Sequence, residues 1–132
     1  MTWTLELPYA RPPLTLNDRG NRHVQHRARV ELMKTVHLLA KQARLPRGLE
    51  HVGIVLWWSV PDRRRRDQDN LAATRKACVD ALTAGSRNHP GYGLTVDDDW
   101  LHVTSGDAIE LVPGRPAALR LEITDLTEAR SA

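Results

Sequence analysis

Polar and apolar residues alternate along the chain with two different periods. Residues 2–7 alternate polar with apolar side chains, which is typical of a strand with one buried face. Three prolines then follow, at positions 8, 12 and 13. Proline fixes φ and removes a backbone donor, so residues 8–22 are predicted to form a loop.

A helical period follows this loop. From about His23 to Arg44, apolar residues recur at spacings of three and four and share one face: Ala28, Leu32, Val36, Leu39 and Ala43. The opposite face carries three basic residues, Arg27, Lys34 and Lys41. Pro46 and Gly48 predict the end of this helix.

The middle of the chain predicts a strand and a second helix. Residues 51–60 are almost continuously apolar, which predicts a central strand covered on both faces. After Pro61, residues 62–68 predict a charged turn, and a helix is expected from about Asp69 to Ala84, ended by Gly85. The buried side of this helix is expected to carry Leu71, Ala72, Cys78, Val79 and Leu82.

The last third of the chain predicts a long loop and two strands. Residues 86–95 contain Asn, His, Pro and two glycines and predict the loop. Residues 100–111 and 117–125 are predicted to pair as a hairpin across a turn at 112–116. A frayed end is expected from about residue 126. The element order β-α-β-α-β-β predicts one α+β (α/β) domain over residues 1–132, with two main helices packed on a small mixed sheet.

Length and cysteine content limit the class of protein. A chain of 132 residues suits one domain, and its longest apolar stretch is too short to span a bilayer. The first residues lack the basic start and apolar run of a signal peptide. Cys78 is the only cysteine, which excludes an internal disulfide and fits a reducing compartment. We therefore expect a soluble, intracellular protein.

The positive charge is clustered. The net charge is only +3, but Arg63, Arg64, Arg65 and Arg66 form an unbroken run. A second basic set near the start of the chain comprises Arg19, Arg22, His23, His26, Arg27 and Arg29. Clusters of this kind create a local positive potential that favours a polyanionic partner such as nucleic acid.

Two acidic pairs lie beside predicted element boundaries. Asp67 and Asp69 are two residues apart at the start of the second helix, and in a turn-like backbone both carboxylates face the same point. Asp97 and Asp98, followed by Asp99, precede a strand. Carboxylate oxygens are the ligands that Mg²⁺ takes in proteins, and two such ions assist phosphodiester hydrolysis. The pattern therefore favours a magnesium-dependent nuclease site.

The second helix adds a basic group to this pattern. Asp69, Ala73, Lys76 and Asp80 fall on one helical stripe. A lysine on that stripe would stabilise charge that develops on a scissile phosphate, and the four preceding arginines would hold neighbouring phosphates.

Structural interpretations of the same residues stay open. Asp67 or Asp69 is a good helix cap, Asp97–Asp99 is compatible with a solvated turn, and the arginine run with a solvated loop. Lys76 and Asp80 have the spacing of an ordinary ion pair. Among the remaining residues, Cys78, Trp57 and Trp58 are expected to pack in the fold. Trp100 contacts a base or anchors its strand, and we favour the anchor.

At these residues the sequence resembles the RusA-like family of Holliday junction resolvases of bacteria and their phages. The matching stretch is Pro-Asp-Arg-Arg-Arg-Arg-Asp-x-Asp-Asn-Leu at 61–71. It continues with Asp80-Ala81-Leu82 and with Asp97-Asp98, and Pro12-Pro13 followed by Asn17 is similar to the family's opening. The resemblance covers most of the chain, in order and at compatible spacing.

The resemblance implies a homodimer that resolves four-way DNA junctions in recombination and repair by paired nicks, using Mg²⁺ or Mn²⁺. Asp67, Asp69 and Asp98 match the essential metal-binding aspartates, Asp97 the adjacent acidic position and Asp80 a recurrent one. DNA contacts are expected from Asn17, Arg19, Arg22, Arg27 and Arg63–Arg66. The resemblance also implies a bacterial cytoplasmic setting, with a phage or prophage as a further source.

The sequence departs from the family pattern in two places. The family's functional lysine slot holds Ala73, and Lys76, one turn later, is the candidate to replace it catalytically. Loop 86–95 is longer than in compact members. It is interpreted either as a DNA-contacting flap with Asn88, His89 and Tyr92 at its tip or as a neutral surface insertion, which we favour. The alternative functions are a junction-binding protein that does not cut, and a metal-dependent nuclease for other branched or single-stranded nucleic acid.

Overall fold

The computed structural model describes residues 1–15 and 22–127. Its elements are β1 (Thr2–Leu7), α1 (Arg22–Gln42), β2 (Val52–Val60), a 3₁₀ turn (Gln68–Leu71), α2 (Ala72–Leu82), β3 (Val103–Leu111) and β4 (Ala118–Asp125). This confirms the predicted α+β class and the order β-α-β-α-β-β. Of the end that is expected to fray from about residue 126, only residues 126 and 127 are described. The Leu126 N–H donates to the His51 carbonyl at 2.9 Å.

The four strands form one mixed sheet in the order β1-β4-β2-β3. β4 is antiparallel to both β1 and β2, whereas β3 pairs only with β2 and runs parallel to it, with Val52 opposite Val103. The predicted hairpin between the last two strands is therefore wrong, because β2 lies between them. The chain leaves β3 across the end of β2, where the Val112 N–H donates to the Val60 carbonyl at 2.8 Å.

One face of the sheet carries the hydrophobic core. The alternate residues Val52, Ile54 and Leu56 of β2 are buried, whereas Val55 and Trp57, which point to the other face, are partly exposed. The buried set joins one cluster with Leu32, Met33, Val36 and Ala40 of α1 and with Ala77, Cys78, Ala81 and Leu82 of α2. The expectation that β2 is covered on both faces is wrong, because both helices contribute to a core on the same face.

The first helix ends earlier than its apolar period suggests. The helix ends at Gln42, Arg44 takes the left-handed φ of 54°, and the Leu45 N–H donates to the Ala40 carbonyl. This closure reverses the chain before Pro46 and Gly48 are reached. Ala43 is consequently exposed, although its spacing placed it on the buried face.

The chain after α2 folds back onto the end of that helix. Backbone N–H groups of Tyr92, Gly93 and Leu94 donate to the carbonyls of Ala81, Thr83 and Leu82 at 2.7–3.0 Å. A Cβ on Gly91 would lie 2.1 Å from the Thr83 oxygen, so only glycine fits there.

Tyr92 anchors this return segment in the core. It is 4% exposed and its hydroxyl donates to the Leu45 carbonyl at 2.6 Å, with the Arg47 guanidinium 3.9 Å from the ring centroid. Tyr92 therefore does not lie at an exposed loop tip. Asn88 is exposed and His89 partly exposed, so these two alone of the three expected tip residues reach the surface.

Candidate nucleic-acid and metal site

The first acidic pair lies where β2 hands over to α2. Asp67 caps the 3₁₀ turn, because its Oδ1 accepts the Asp69 N–H at 3.0 Å. Gln68 fixes this turn to β3 by donating its side-chain amide to the Asp107 carbonyl at 2.9 Å. Asp67 and Asp69 are both exposed. The capping interpretation of Asp67 is confirmed, yet capping uses only one carboxylate oxygen and leaves the other for a ligand.

The second acidic group lies in the connection to β3. Asp99 has a structural role, since its carboxylate accepts the Leu101 N–H and bonds the His102 ring at 2.6 Å. That ring lowers the pKa of Asp99. The Asp97 carboxylate accepts the Asp98 N–H at 2.7 Å. The turn interpretation therefore holds best for Asp99. The carboxylates of Asp97 and Asp98 have no basic partner among the described contacts.

Asp98 lies in a negative environment. Desolvation by burial, contact with the Asp97 carboxyl and the charge of Asp80 all raise its pKa. Asp80 itself forms an ion pair with Arg29 of α1, so the expected alternative of a Lys76–Asp80 pair does not describe its contact. A raised carboxyl pKa means that ionisation is disfavoured, and a nearby cation would relieve this.

The two acidic pairs lie in different parts of the fold. Asp67 follows the end of β2, whereas Asp98 precedes the start of the parallel strand β3. Asp69 is at the beginning of the second helical segment, and Asp80 is near the end of α2, 11 residues long. The charge of Asp80 acts on Asp98, so the pairs lie towards opposite ends of α2. The helix itself is about 16 Å long at 1.5 Å per residue.

Because of this separation, the four aspartates cannot bind one magnesium ion together within one chain. Oxygen ligands of the right chemistry are present at both ends of α2. Within residues 1–15 and 22–127, however, no three His, Cys, Asp or Glu side chains are grouped so that they could hold one metal ion. The four aspartates of Asp67, Asp69, Asp97 and Asp98 therefore do not fit a metal as a single site within one chain.

A basic groove lies between α1 and α2. It has a volume of about 350 Å³ and is lined by Leu14, Thr15, Arg22, Gln25, His26, Arg29, Ala73 and Lys76. Every titratable group among these is basic. Lys76 and Ala73 of the predicted stripe thus face the groove, and Arg29 joins it to Asp80. This geometry suits an anionic backbone.

Two groove residues were not among the predicted DNA contacts. His26 and Arg29 follow Arg22 at spacings of four and seven, which places all three on one face of α1. Both residues belong to the basic set near the start of the chain. Helical spacing from Arg22 is the sequence signal that would have predicted which members of that set line the groove. Arg27 is exposed on a different face of the helix.

The arginine run divides into two parts. Arg66 makes contacts within the fold: it forms an ion pair with Asp62 at 3.0 Å, and its guanidinium lies 5.6 Å from the Trp58 ring centroid. Arg63, Arg64 and Arg65 are exposed, although Arg64 also lies 3.5 Å from Asp62. Asn17 and Arg19, two further expected DNA contacts, fall outside the described residues.

Trp100 is on the surface beside the second acidic group. Its exposed fraction is 82%, so the favoured interpretation as a strand anchor is wrong. Val96 and Leu101 in the same loop are 71% and 40% exposed. The loop therefore presents three large apolar side chains around Asp97 and Asp98. By contrast, Trp57 and Trp58 are partly buried, and Cys78 is fully buried in the core as expected.

The described part of the chain has no helix long and apolar enough to cross a membrane. No protein-family model matches the chain, and comparison with the curated proteins yields no match.

Proposed function

We propose that this protein is a Mg²⁺-dependent, structure-selective DNA endonuclease that resolves four-way junctions by paired nicks, acting as a homodimer. The observation that carries the proposal is the groove between α1 and α2. Four basic side chains line it, and exposed aspartates lie towards both ends of α2, which forms one of its walls. Such an arrangement suits a phosphodiester backbone held by cations close to carboxylate ligands.

The groove supplies the binding part of this function. Arg22, His26 and Arg29 project from α1 and Lys76 from α2. Charges from two elements that face one channel contact phosphates along a strand and carry no base specificity. Recognition then depends on the shape of the DNA, as a structure-selective enzyme requires.

Lys76 supplies the catalytic cation. It is exposed and lines the groove, and the described contacts include no ion pair of its ammonium group. An ammonium group that is free of a carboxylate partner is available to a phosphate. There it stabilises the negative charge that increases on the phosphoryl oxygens as water attacks.

The test measures nicking of a synthetic four-way junction with Mg²⁺ and with a chelator. We expect Mg²⁺-dependent paired nicks by the wild type, a loss of about 100-fold for Asp69→Asn and for Lys76→Gln, and retained junction binding by Asp69→Asn. Lys41→Gln makes the same charge change near the end of α1 outside the groove and serves as the matched control. Absence of metal-dependent cleavage of any branched DNA by the wild type contradicts the proposal.

A second candidate is a protein that binds junctions without cutting them. One observation favours it: in the described part of the chain, no three possible ligands are grouped so that they could hold one metal ion. It predicts salt-sensitive junction binding that Asp67→Asn leaves unchanged, with no cleavage at any Mg²⁺ concentration.

If flaps, single strands or RNA are cut faster than junctions, the nuclease acts on a different nucleic acid from the one proposed.

A further inference from the structure

A second cavity lies on another face of α1, towards the end of that helix. It has a volume of about 330 Å³ and is bounded by α1, by Ala81 of α2 and by residues 88–90, which follow α2. None of the residues described as lining it also lines the groove. The two cavities are therefore separate features of the described part of the chain.

The titratable side chains that line this second cavity are all basic. Lys34, His37 and Lys41 follow one another at spacings of three and four, which places them on one face of α1. His89 lines the same cavity from the segment after α2. The described contacts include no ion pair of Lys34 or Lys41. Positive groups that converge on one cavity without a carboxylate favour an anion there.

A tight turn positions the wall opposite α1. The Ser86 N–H donates to the His89 carbonyl at 2.9 Å, and the His89 N–H donates to the Ser86 carbonyl at 3.2 Å. Gly85 has the left-handed φ of 69°, and a Cβ there would lie 2.3 Å from the His89 oxygen. The turn is thus packed directly on the backbone before it, which positions Asn88 and His89 before a ligand binds. Preorganisation of this kind reduces the entropy cost of binding.

The ring of His37 is positioned from two sides. It meets the Tyr92 ring edge to face, with centroids 5.8 Å apart, and it forms a hydrogen bond with the Pro90 backbone. Burial lowers the pKa of His37, and the nearby charges of Lys41 and Arg47 lower it further. The hydrogen bond to Pro90 acts in the opposite direction. The cavity therefore places this ring in a positive field, which a bound anion would offset.

We propose that the second cavity binds a small phosphate monoester, with its phosphate at Lys34, Lys41 and His89. A phosphate monoester carries a charge of about −1.5 to −2 at neutral pH, which matches the two lysines. The volume exceeds that of a phosphate group alone and is near the lower end of the range of about 300–1,000 Å³ for small-molecule sites. Met33 and Leu38 supply an apolar wall for the organic part. This site is additional to the proposed nuclease function and does not depend on it.

The pKa of His37 provides a readout that is specific to this cavity. Its charged and titratable neighbours come from the elements packed around the ring. They are Lys34 and Lys41 on α1, Arg47 after that helix, and His89 and Tyr92 after α2. No carboxylate is among these described groups. A bound dianion is therefore expected to raise the pKa of His37 by about 1 unit, because it stabilises the charged imidazolium.

Nuclear magnetic resonance measures this shift. The imidazole signals are followed from about pH 5 to pH 8 with and without adenosine monophosphate, and His37→Gln assigns the signal of His37. We expect the monophosphate to raise this pKa, whereas adenosine, which has no phosphate, and sodium chloride at equal ionic strength leave it unchanged. No rise with the monophosphate, or an equal rise with either control, overturns the proposal. An equal rise with a short oligonucleotide that lacks a terminal phosphate also contradicts it, because the cavity would then hold a DNA strand.

Two variants test the lysines, with the affinity taken from the His37 signal. Lys34→Gln and Lys41→Gln are each expected to bind adenosine monophosphate about tenfold more weakly, since each removes a charge-assisted hydrogen bond. Arg44→Gln makes the same charge change outside the cavity lining and is expected to bind as the wild type does. A similar loss for Arg44→Gln, or no loss for the two lysine variants, refutes the proposal. Because the cavity is separate from the groove, Lys41→Gln is still expected to nick junctions at the wild-type rate.

Discussion

At the scale of single residues, the cap that Asp67 provides is separable by chemistry from its proposed role at a metal. Its Oδ1 accepts the Asp69 N–H and starts the 3₁₀ turn, which fixes the direction of both carboxylates. Asparagine is as good a cap as aspartate, but it lacks the charge that a metal or a nucleophile requires.

Paired substitutions of Asp67 therefore separate stability from activity. Asp67→Ala removes the cap and is expected to lower the free energy of unfolding by about 1 kcal/mol, whereas Asp67→Asn changes it little. Both variants are expected to lose junction cleavage. Urea denaturation and nicking assays measure the two effects. Equal destabilisation by Asn and Ala would show that charge, and not the cap, holds the turn.

Glu110 gives a second residue-scale prediction, on the uncovered face of the sheet. Hydrogen bonds from Arg120 and then from Ser59 lower its pKa below the ordinary value of 4.5. A lowered carboxyl pKa stabilises the folded state above the unfolded value, and this contribution is lost as the pH falls through the folded pKa.

Glu110→Gln is consequently expected to unfold at a lower temperature than the wild type at pH 7. The difference in midpoint should shrink below pH 4.5 and vanish in stronger acid. Thermal unfolding followed by circular dichroism across this range measures it. Glu122→Gln on β4 is the control, because the described contacts include no ion pair of that carboxylate. A difference that is constant with pH contradicts the ion-pair explanation.

At the scale of elements, the segment after α2 is a structural part of the core. Tyr92 is held by its hydroxyl bond to Leu45 and by the Arg47 guanidinium, and Gly91 packs on the Thr83 carbonyl. The segment thereby joins the end of α2 to the end of α1.

Tyr92→Phe tests this connection with a minimal change. It removes the hydroxyl and leaves the buried Leu45 carbonyl without this donor, so we expect a loss of about 1–2 kcal/mol in the free energy of unfolding. Tyr9→Phe is the matched control, because the described hydrogen bonds include none from the Tyr9 hydroxyl. Denaturant titration decides, and similar values for the two variants would assign the role of Tyr92 to its ring alone.

The strands show which part of an element the sequence predicts. Alternation located β1 and β4 to within one residue, because burial of one face is a local property. The strand predicted at 100–111 begins at Val103. Alternation did not reveal that β3 pairs with β2, since a five-residue turn such as 112–116 is also typical of hairpins. The continuous apolar run of β2 correctly predicted a central strand. It wrongly predicted that both faces of the strand are covered, because Val55 and Trp57 face the side of the sheet on which neither α1 nor α2 packs.

At the scale of the whole molecule, the sequence located the acidic pairs but not the distance between them. Carboxylate spacing within Asp67-Gln68-Asp69 is local, whereas the position of Asp98 depends on the parallel pairing of β2 and β3. Whether four carboxylates converge is thus a property of topology and assembly. The exposure of Trp100 was equally non-local, because strand periodicity does not report what covers a loop.

Trp100 provides a prediction at this scale. If the proposed homodimer forms through the exposed apolar side chains of loop 96–101, Trp100→Glu is expected to shift the protein from dimer to monomer in sedimentation, because it places a charge in an apolar contact. Leu38→Glu, a charge at another exposed apolar side chain, is the control and is expected to stay dimeric. An unchanged dimer for Trp100→Glu would remove this loop from the interface.

The thiol of Cys78 is unreactive in the folded protein. Its side chain is fully buried and burial raises the pKa of its thiol to about 12, so thiolate is scarce and inaccessible at neutral pH. Alkylation of this thiol therefore proceeds through opening of the core. When the core recloses faster than the reagent reacts, the alkylation rate measures the population of the open state. Because Cys78 is unreactive, a cysteine introduced on the surface can be labelled selectively without replacing Cys78.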